Sequence, residues 1–168
     1  MPSNTTSALI GGLSTAVLVT LLNLLTLTGN VVIQTLLGCL SCLVYLCAGL
    51  IAVWHYTTEY SLTLTGRQGV TLGLFSGAIA GATAAIIQHA LVMVGIMPGP
   101  EEAMAASGVS MDQPGMEVAK IMIEMMSGTT GLVITIVLGV IFGGLLGLAG
   151  GAIGRSIWKK GDDEGVIY

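Results

Sequence analysis

The chain has 168 residues, 54% of them hydrophobic and only 8% charged, with a formal net charge of −4 and a mean hydropathy of +0.92. Soluble domains carry about a quarter charged residues, so this chain has too few charges to cover a surface facing water. Its basic residues form no run beyond Lys159-Lys160 with Arg155 nearby, which sets nucleic acid aside as a partner.

A helix crossing about 30 Å of hydrocarbon needs roughly 20 mostly apolar residues. Residues 1–7 hold no basic side chain, and no clear small-x-small cleavage site follows residue 27, so the first apolar segment reads as a retained span rather than a signal peptide. It is expected over 7–27, and Thr28-Gly29-Asn30 supplies a turn after it. A second span over 31–60 then forms an antiparallel hairpin with the first. Helices are required because an open strand in lipid leaves backbone groups unpaired. A short polar turn over 61–66 leads to a third span over 67–96, stopped by Met97-Pro98-Gly99-Pro100. A loop over 97–128 follows. Within it, Pro100-Glu101-Glu102 reads as a helix start and Asp112-Gln113-Pro114-Gly115 as a turn. Residues 116–127 read as an amphipathic helix, with Val118, Ile121, Met122 and Met125 on one face and Glu117, Lys120 and Glu124 on the other. A fourth span over 129–157 precedes a polar tail over 158–168. The expected architecture is thus an all-α, four-helix membrane bundle of two antiparallel hairpins, forming one membrane domain.

Orientation follows from Lys and Arg near the span ends. Arg67, Arg155, Lys159 and Lys160 fall on one side, whereas the long loop sets Lys120 against Glu101, Glu102, Asp112, Glu117 and Glu124. The positive-inside bias therefore places both termini in the cytoplasm and the loop outside a cell membrane. Trp54, Tyr56, Tyr60 and Trp158 fall at the cytoplasmic interface, where amphipathic rings concentrate.

Glycine recurs at every fourth position in the last two spans: Gly69, Gly73, Gly77 and Gly81, then Gly139, Gly143, Gly147 and Gly151. That spacing draws a stripe along one helix face. Lipid tails are as apolar as leucine, so helix association in a membrane relies on close contact that small residues permit. The stripes predict that these spans pack on each other, or that one packs on a neighbouring subunit. Gly11-Gly12 near the start of the first span is echoed at the start of the third, which raises the reading of two tandem hairpins.

Few side chains offer chemistry. Cys39 and Cys42, with Cys47 below them, lie in the second span; three residues apart, the first two can act as a thiol pair or as two metal ligands, or fill space as apolar side chains. The methionines number 9, and eight of them lie between Met93 and Met126. Thioether and thiolate suit Cu(I), so Cys39, Cys42, His89, Met122, Met125 and Met126 outline an outer copper site. The competing reading makes the methionines an adaptable packing surface. His55 and His89 fall on opposite sides of the membrane and cannot ligate one haem. Asn23, Gln34, Gln88 and His89 are candidate polar groups at membrane depth, and Asn23, Gln34, Gln88 and Thr135 could line a small channel. No Asp, Glu, Lys or Arg lies between span ends, as coupled transporters usually require, and no nucleophile triad or phosphate loop is present. No cofactor and no enzymatic reaction is expected.

The Gly11-Gly12 start, the Cys39/Cys42 patch with Gly49, and the Gly69–Gly81 run resemble a set of small, uncharacterised bacterial four-span membrane proteins with glycine-zipper helices, over residues 8–90. The resemblance implies the topology and no activity. The expectation is a structural or accessory membrane protein acting as a homo-oligomer or beside other membrane subunits. A small channel and a metal- or redox-handling protein are the alternatives.

Overall fold

A computed structural model describes residues 4–25, 31–99, 101–102, 105, 117–126 and 128–158. The side chains at 31–35, 119, 122 and 126 fall outside that description. The elements are α1 (Asn4–Leu25), α2 (Val31–Tyr60), α3 (Gly66–Met93), a short α4 (Glu117–Met126) and α5 (Gly128–Ile157). No strand occurs among the described residues. Four helices, all but α4, are long and apolar enough to cross a membrane. At 1.5 Å per residue even α1 reaches about 33 Å. Of the loop expected over 97–128, residues 100, 103–104, 106–116 and 127, with the turn Asp112-Gln113-Pro114-Gly115, lie outside the described residues, as do the turn Thr28-Gly29-Asn30 and the tail beyond Trp158.

The span limits follow from local chemistry. Thr65 caps α3: its hydroxyl accepts from the Gln68 N–H, and the Gln68 amide oxygen accepts from the Thr65 N–H at 3.0 Å, the reciprocal arrangement of a capping box. The helix ends at Met93, three residues short of the expected limit. Gly95 stands at φ +72, the Ile96 N–H donates to the Leu91 carbonyl at 2.9 Å, and the Gly95 N–H donates to the Val92 carbonyl at 3.0 Å. Those bonds form a Schellman stop, so Gly95, rather than the later prolines, ends the helix. Gly128, at φ +69, turns the chain from α4 into α5.

Contacts fix the directions. Gly11 of α1 meets Ala48 and Ala52 of α2, and Ser76 of α3. Nearer the chain start, Ala8 shares a cluster with Ala52, Val53, Tyr56 and Leu72, and farther along, Ala16 and Val19 share one with Val44 and Ala84. Hence α1 and α3 run together and α2 runs against both. The glycine pairs described below set α5 against α3 and alongside α2. The bundle is a rhombus: α2 and α3 touch across the short diagonal, and α1 and α5 do not meet among the described residues. Asn4 and Trp158 lie at the same end, because Trp158 packs on the cluster that holds Ala8. That end carries Arg67 and Arg155; the opposite end carries Glu101, Glu102, Glu117 and Glu124.

The bundle is small inside and large outside. Its biggest fully buried side chains are Val19, Val53, Thr15, Ser7 and Ser76. Leu13, Val17, Leu36, Leu43, Phe75, Phe142 and Leu145 project outward, with Phe142 62% exposed. In water this arrangement would leave an apolar patch far larger than a monomer tolerates. In lipid it is the expected one, since tails solvate the large side chains and small ones let the backbones meet. Together with the span lengths, it makes the chain a multi-pass membrane protein. The aromatic residues divide: Trp54 is exposed, whereas Tyr56 turns inward to 6% exposure and stacks at a tilt on Tyr60, ring centres 5.0 Å apart. Tyr56 therefore belongs to the core, not to an outward interfacial belt.

Glycine substitution separates contact from helix propensity. A β-carbon at Gly77 would fall on the Gly143 carbonyl oxygen, whereas one at Gly38 meets nothing within 4 Å. Gly77→Ala is expected to destabilise the bundle by about 1–3 kcal/mol, and Gly38→Ala to leave it unchanged or up to about 1 kcal/mol more stable. Unfolding midpoints of the two variants in one detergent check this.

Candidate functional site

The most developed feature of the interior is a seam of backbone against backbone. Gly73 meets Gly147 and Gly151, Gly77 meets Gly143 and Gly147, and Gly81 meets Gly139. A β-carbon at Gly139 would stand 2.7 Å from the Gly81 carbonyl oxygen, closer than such atoms can lie. At the end of the seam a β-carbon at Gly69 would stand 3.1 Å from the Arg155 β-carbon and 3.2 Å from the Gly151 carbonyl oxygen, while one at Gly151 would fall on the Gly69 carbonyl oxygen. Both stripes are therefore consumed inside one chain, and neither is left for a neighbouring copy.

Two further seams join this one. Gly49 of α2 lies against the backbone of Gly147, Gly150 and Gly151, and Gly150 lies against the Leu46 carbonyl. On the other flank a β-carbon at Gly12 would stand 2.8 Å from the Ser76 carbonyl oxygen. The Ser76 hydroxyl, fully buried, donates to the Ala48 carbonyl at 2.9 Å and so links α3 to α2. Gly11 has no side chain and leaves room for that bond. Reading the sequence by fours missed these contacts. Gly49 has no glycine three or four residues away in α2, Gly11 and Gly12 are a pair rather than a series, and only Gly150 adjoins a visible stripe.

Polar groups at the ends tie the bundle. Ser7 Oγ and His55 Nδ1 are 3.0 Å apart across α1 and α2. Arg155 Nε donates to the Leu64 carbonyl at 3.2 Å and pins the end of α5 to the connection between α2 and α3. Several other hydroxyls are spent on their own helices, as when Thr20 donates to the Ala16 carbonyl, Thr57 to that of Val53 and Thr135 to that of Gly131. Thr15 differs: its hydroxyl is fully buried and finds no partner among the described residues.

The polar residues nominated at membrane depth do not form one site. Gln88 and Thr135 line a cavity of about 280 Å³ with Tyr45, Leu138 and Phe142, between α2, α3 and α5. Gly81, Gly139 and Gly143 form its floor, and there the backbone contact closes it. His89 is half-buried on α3 beside Gln88 and is not among the residues lining that cavity. Asn23 is half-buried on α1, and Gln34 has its side chain outside the described residues.

The cysteines turn away from the interior. Cys39 and Cys42 are exposed and Cys47 is half-buried, all three as free thiols. The first two thus face lipid or a partner, and filling space within the bundle is not their role. Met125 is exposed on α4, while Met122 and Met126 have side chains outside the described residues. Among the described residues no three His, Cys, Asp or Glu side chains converge as a metal site would need. No family model, curated protein or solved structure matches the chain. The packing geometry therefore stands as the main guide to what the protein does.

The two buried hydroxyls have opposite expected effects. Ser76→Ala removes a bond between helices and should cost about 0.6–1.7 kcal/mol. Thr15→Val replaces an unpaired buried hydroxyl by a methyl of like shape and should be neutral or stabilising by about 1 kcal/mol. Reversible unfolding in mixed micelles, variant against parent, reads both.

Proposed function

We propose that this chain is a structural or accessory subunit of a cell membrane, acting through helix packing as a homo-oligomer or beside other membrane subunits, and catalysing no reaction. The observation that carries the reading is the closed interior. Glycine backbones of α2, α3 and α5 meet along the bundle, which supports a stiff membrane element. What the chain offers is its outer surface. On α2 that surface includes Leu36, Cys39, Leu40, Cys42 and Leu43, and on α5 it includes Val133, Val137, Ile141, Phe142 and Leu145. Apolar outward faces suit lipid and helical neighbours alike. With the glycine stripes used internally, a partner helix would dock on these larger side chains.

The positive-inside bias supports an orientation with Arg67 and Arg155 toward the cytoplasm and the acidic α4 end outside. A channel through a single chain finds less support. The cavity holding Gln88 ends on a glycine floor, and Thr135 already donates to its own helix. The test is native mass spectrometry on protein released gently from its own membrane, joined to flux through liposomes containing the purified chain. The reading expects further copies or other polypeptides at a fixed ratio, and solute flux no greater than in empty vesicles. A bare monomer that conducts, with conduction lost in Gln88→Leu, would replace it by the channel.

A further inference from the structure

A cavity of about 570 Å³ lies on the outer surface between α1 and α3, at the end carrying Arg67. Its composition changes along its length. At the helix ends it is polar: Asn4, Thr5, Thr65, Arg67, Gln68 and Thr71. Deeper, Ala8 and Leu72 form a buried floor, with Phe75 and Ile79 beside them. In this apolar part α1 contributes only Ala8 to the lining. The cavity narrows at Gly12, where a β-carbon would stand 2.7 Å from Ile79 Cγ2. From Arg67 to Ile79 the groove descends about 18 Å along α3, close to the depth of one hydrocarbon leaflet, about 15 Å.

Its charge has one sign. Arg67 is exposed and lines the polar mouth. The parallel helices α1 and α3 both begin there, and the first-turn N–H groups of a helix carry partial positive charge without intrahelical acceptors. The Thr65–Gln68 box satisfies the Gln68 N–H, and the Gly66 and Arg67 N–H groups, at the start of α3, have no acceptor within the helix. No carboxylate is among the described residues lining the cavity. The second cation of this end, Arg155, is held by the Leu64 carbonyl on the α5 side.

We propose that this groove binds one glycerophospholipid with an anionic headgroup, the phosphate at Arg67 and an acyl chain along Leu72, Phe75 and Ile79. The proposal rests on the chain being embedded in a membrane and is independent of whether it works as an accessory subunit. An amphipathic groove of leaflet depth with a cationic mouth fits a lipid better than a free anion, for which the apolar half would contribute nothing.

The test uses the full chain reconstituted in phosphatidylcholine vesicles containing phosphatidylglycerol, released in mild detergent, with retained lipid counted by native mass spectrometry. The parent is expected to retain phosphatidylglycerol about five-fold over its share of the vesicle lipid, the effect of one basic side chain beside an anionic headgroup. Arg67→Gln should bring retention to the vesicle ratio, Thr71→Trp, which narrows the groove from an exposed position, should lower retention of both lipids, and Lys120→Gln, at the far end, should change nothing. Equal retention of the two lipids by the parent, an undiminished preference in Arg67→Gln, or an equal loss in Lys120→Gln would overturn the proposal. Displacement of the lipid by inorganic phosphate would also overturn it, since the site would then be one for a free ion.

Discussion

The structure depends on how closely two helix backbones approach when neither has a side chain between them. In water, burying apolar surface would hold such helices together. In lipid that drive nearly vanishes, and contact must come from atoms that touch. Glycine costs roughly 0.5–1 kcal/mol per helical position relative to alanine. A series of them is sustained only where contact returns more than it costs. Along α3 and α5 the carbonyl of one glycine lies where the β-carbon of another would be, from Gly73 against Gly147 to Gly81 against Gly139. Everything else is arranged around that seam. α2 joins it through Gly49, α1 closes the other flank through Gly11 and Gly12, and the large side chains are left on the outside.

The same seam accounts for what could be read in advance. Span number and approximate limits were legible because apolar runs of bilayer length are interrupted by few turn signals, Thr28-Gly29-Asn30 and Thr65-Gly66 among them. The α3–α5 seam was legible because four-residue spacing repeats. What the spacing left open was whether a stripe serves its own chain or a neighbour, and that is settled by geometry in space. Gly49 gave no such signal, since no other glycine stands three or four residues from it in α2. The end of α3 was misjudged for a related reason: Met97-Pro98 is the louder punctuation, but Gly95 reaches the left-handed conformation first. Facing was the least legible property. In an all-apolar helix no polar stripe marks the outside, so the inward turn of Tyr56 and the outward turn of Cys39 and Cys42 follow from packing alone.

Function follows the same division between a closed interior and an open exterior. Hydroxyls inside are largely spent on neighbouring carbonyls, and the described carboxylates and basic side chains stand at the two ends. On the proposed reading the chain works by recognition at its surface, through apolar faces at membrane depth and through the mouth between α1 and α3. The candidate lipid groove was not visible from spacing, because its lining comes from two helices whose shared end only the fold brings together.

The glycine seam joins α3 to α5 within one chain. Ala78 and Gly144 flank it, and a β-carbon at Gly144 would stand 3.9 Å from that of Ala78, within the 3.5–4.5 Å range of disulfide-bonded cysteines. The direct measurement is oxidative cross-linking of an Ala78→Cys/Gly144→Cys protein in native membranes, with Cys39, Cys42 and Cys47 replaced by serine. The account predicts a rapid cross-link that leaves the chain monomeric on a denaturing gel and shifts only its mobility. Cross-linked dimers, or thiols that stay free, would contradict it.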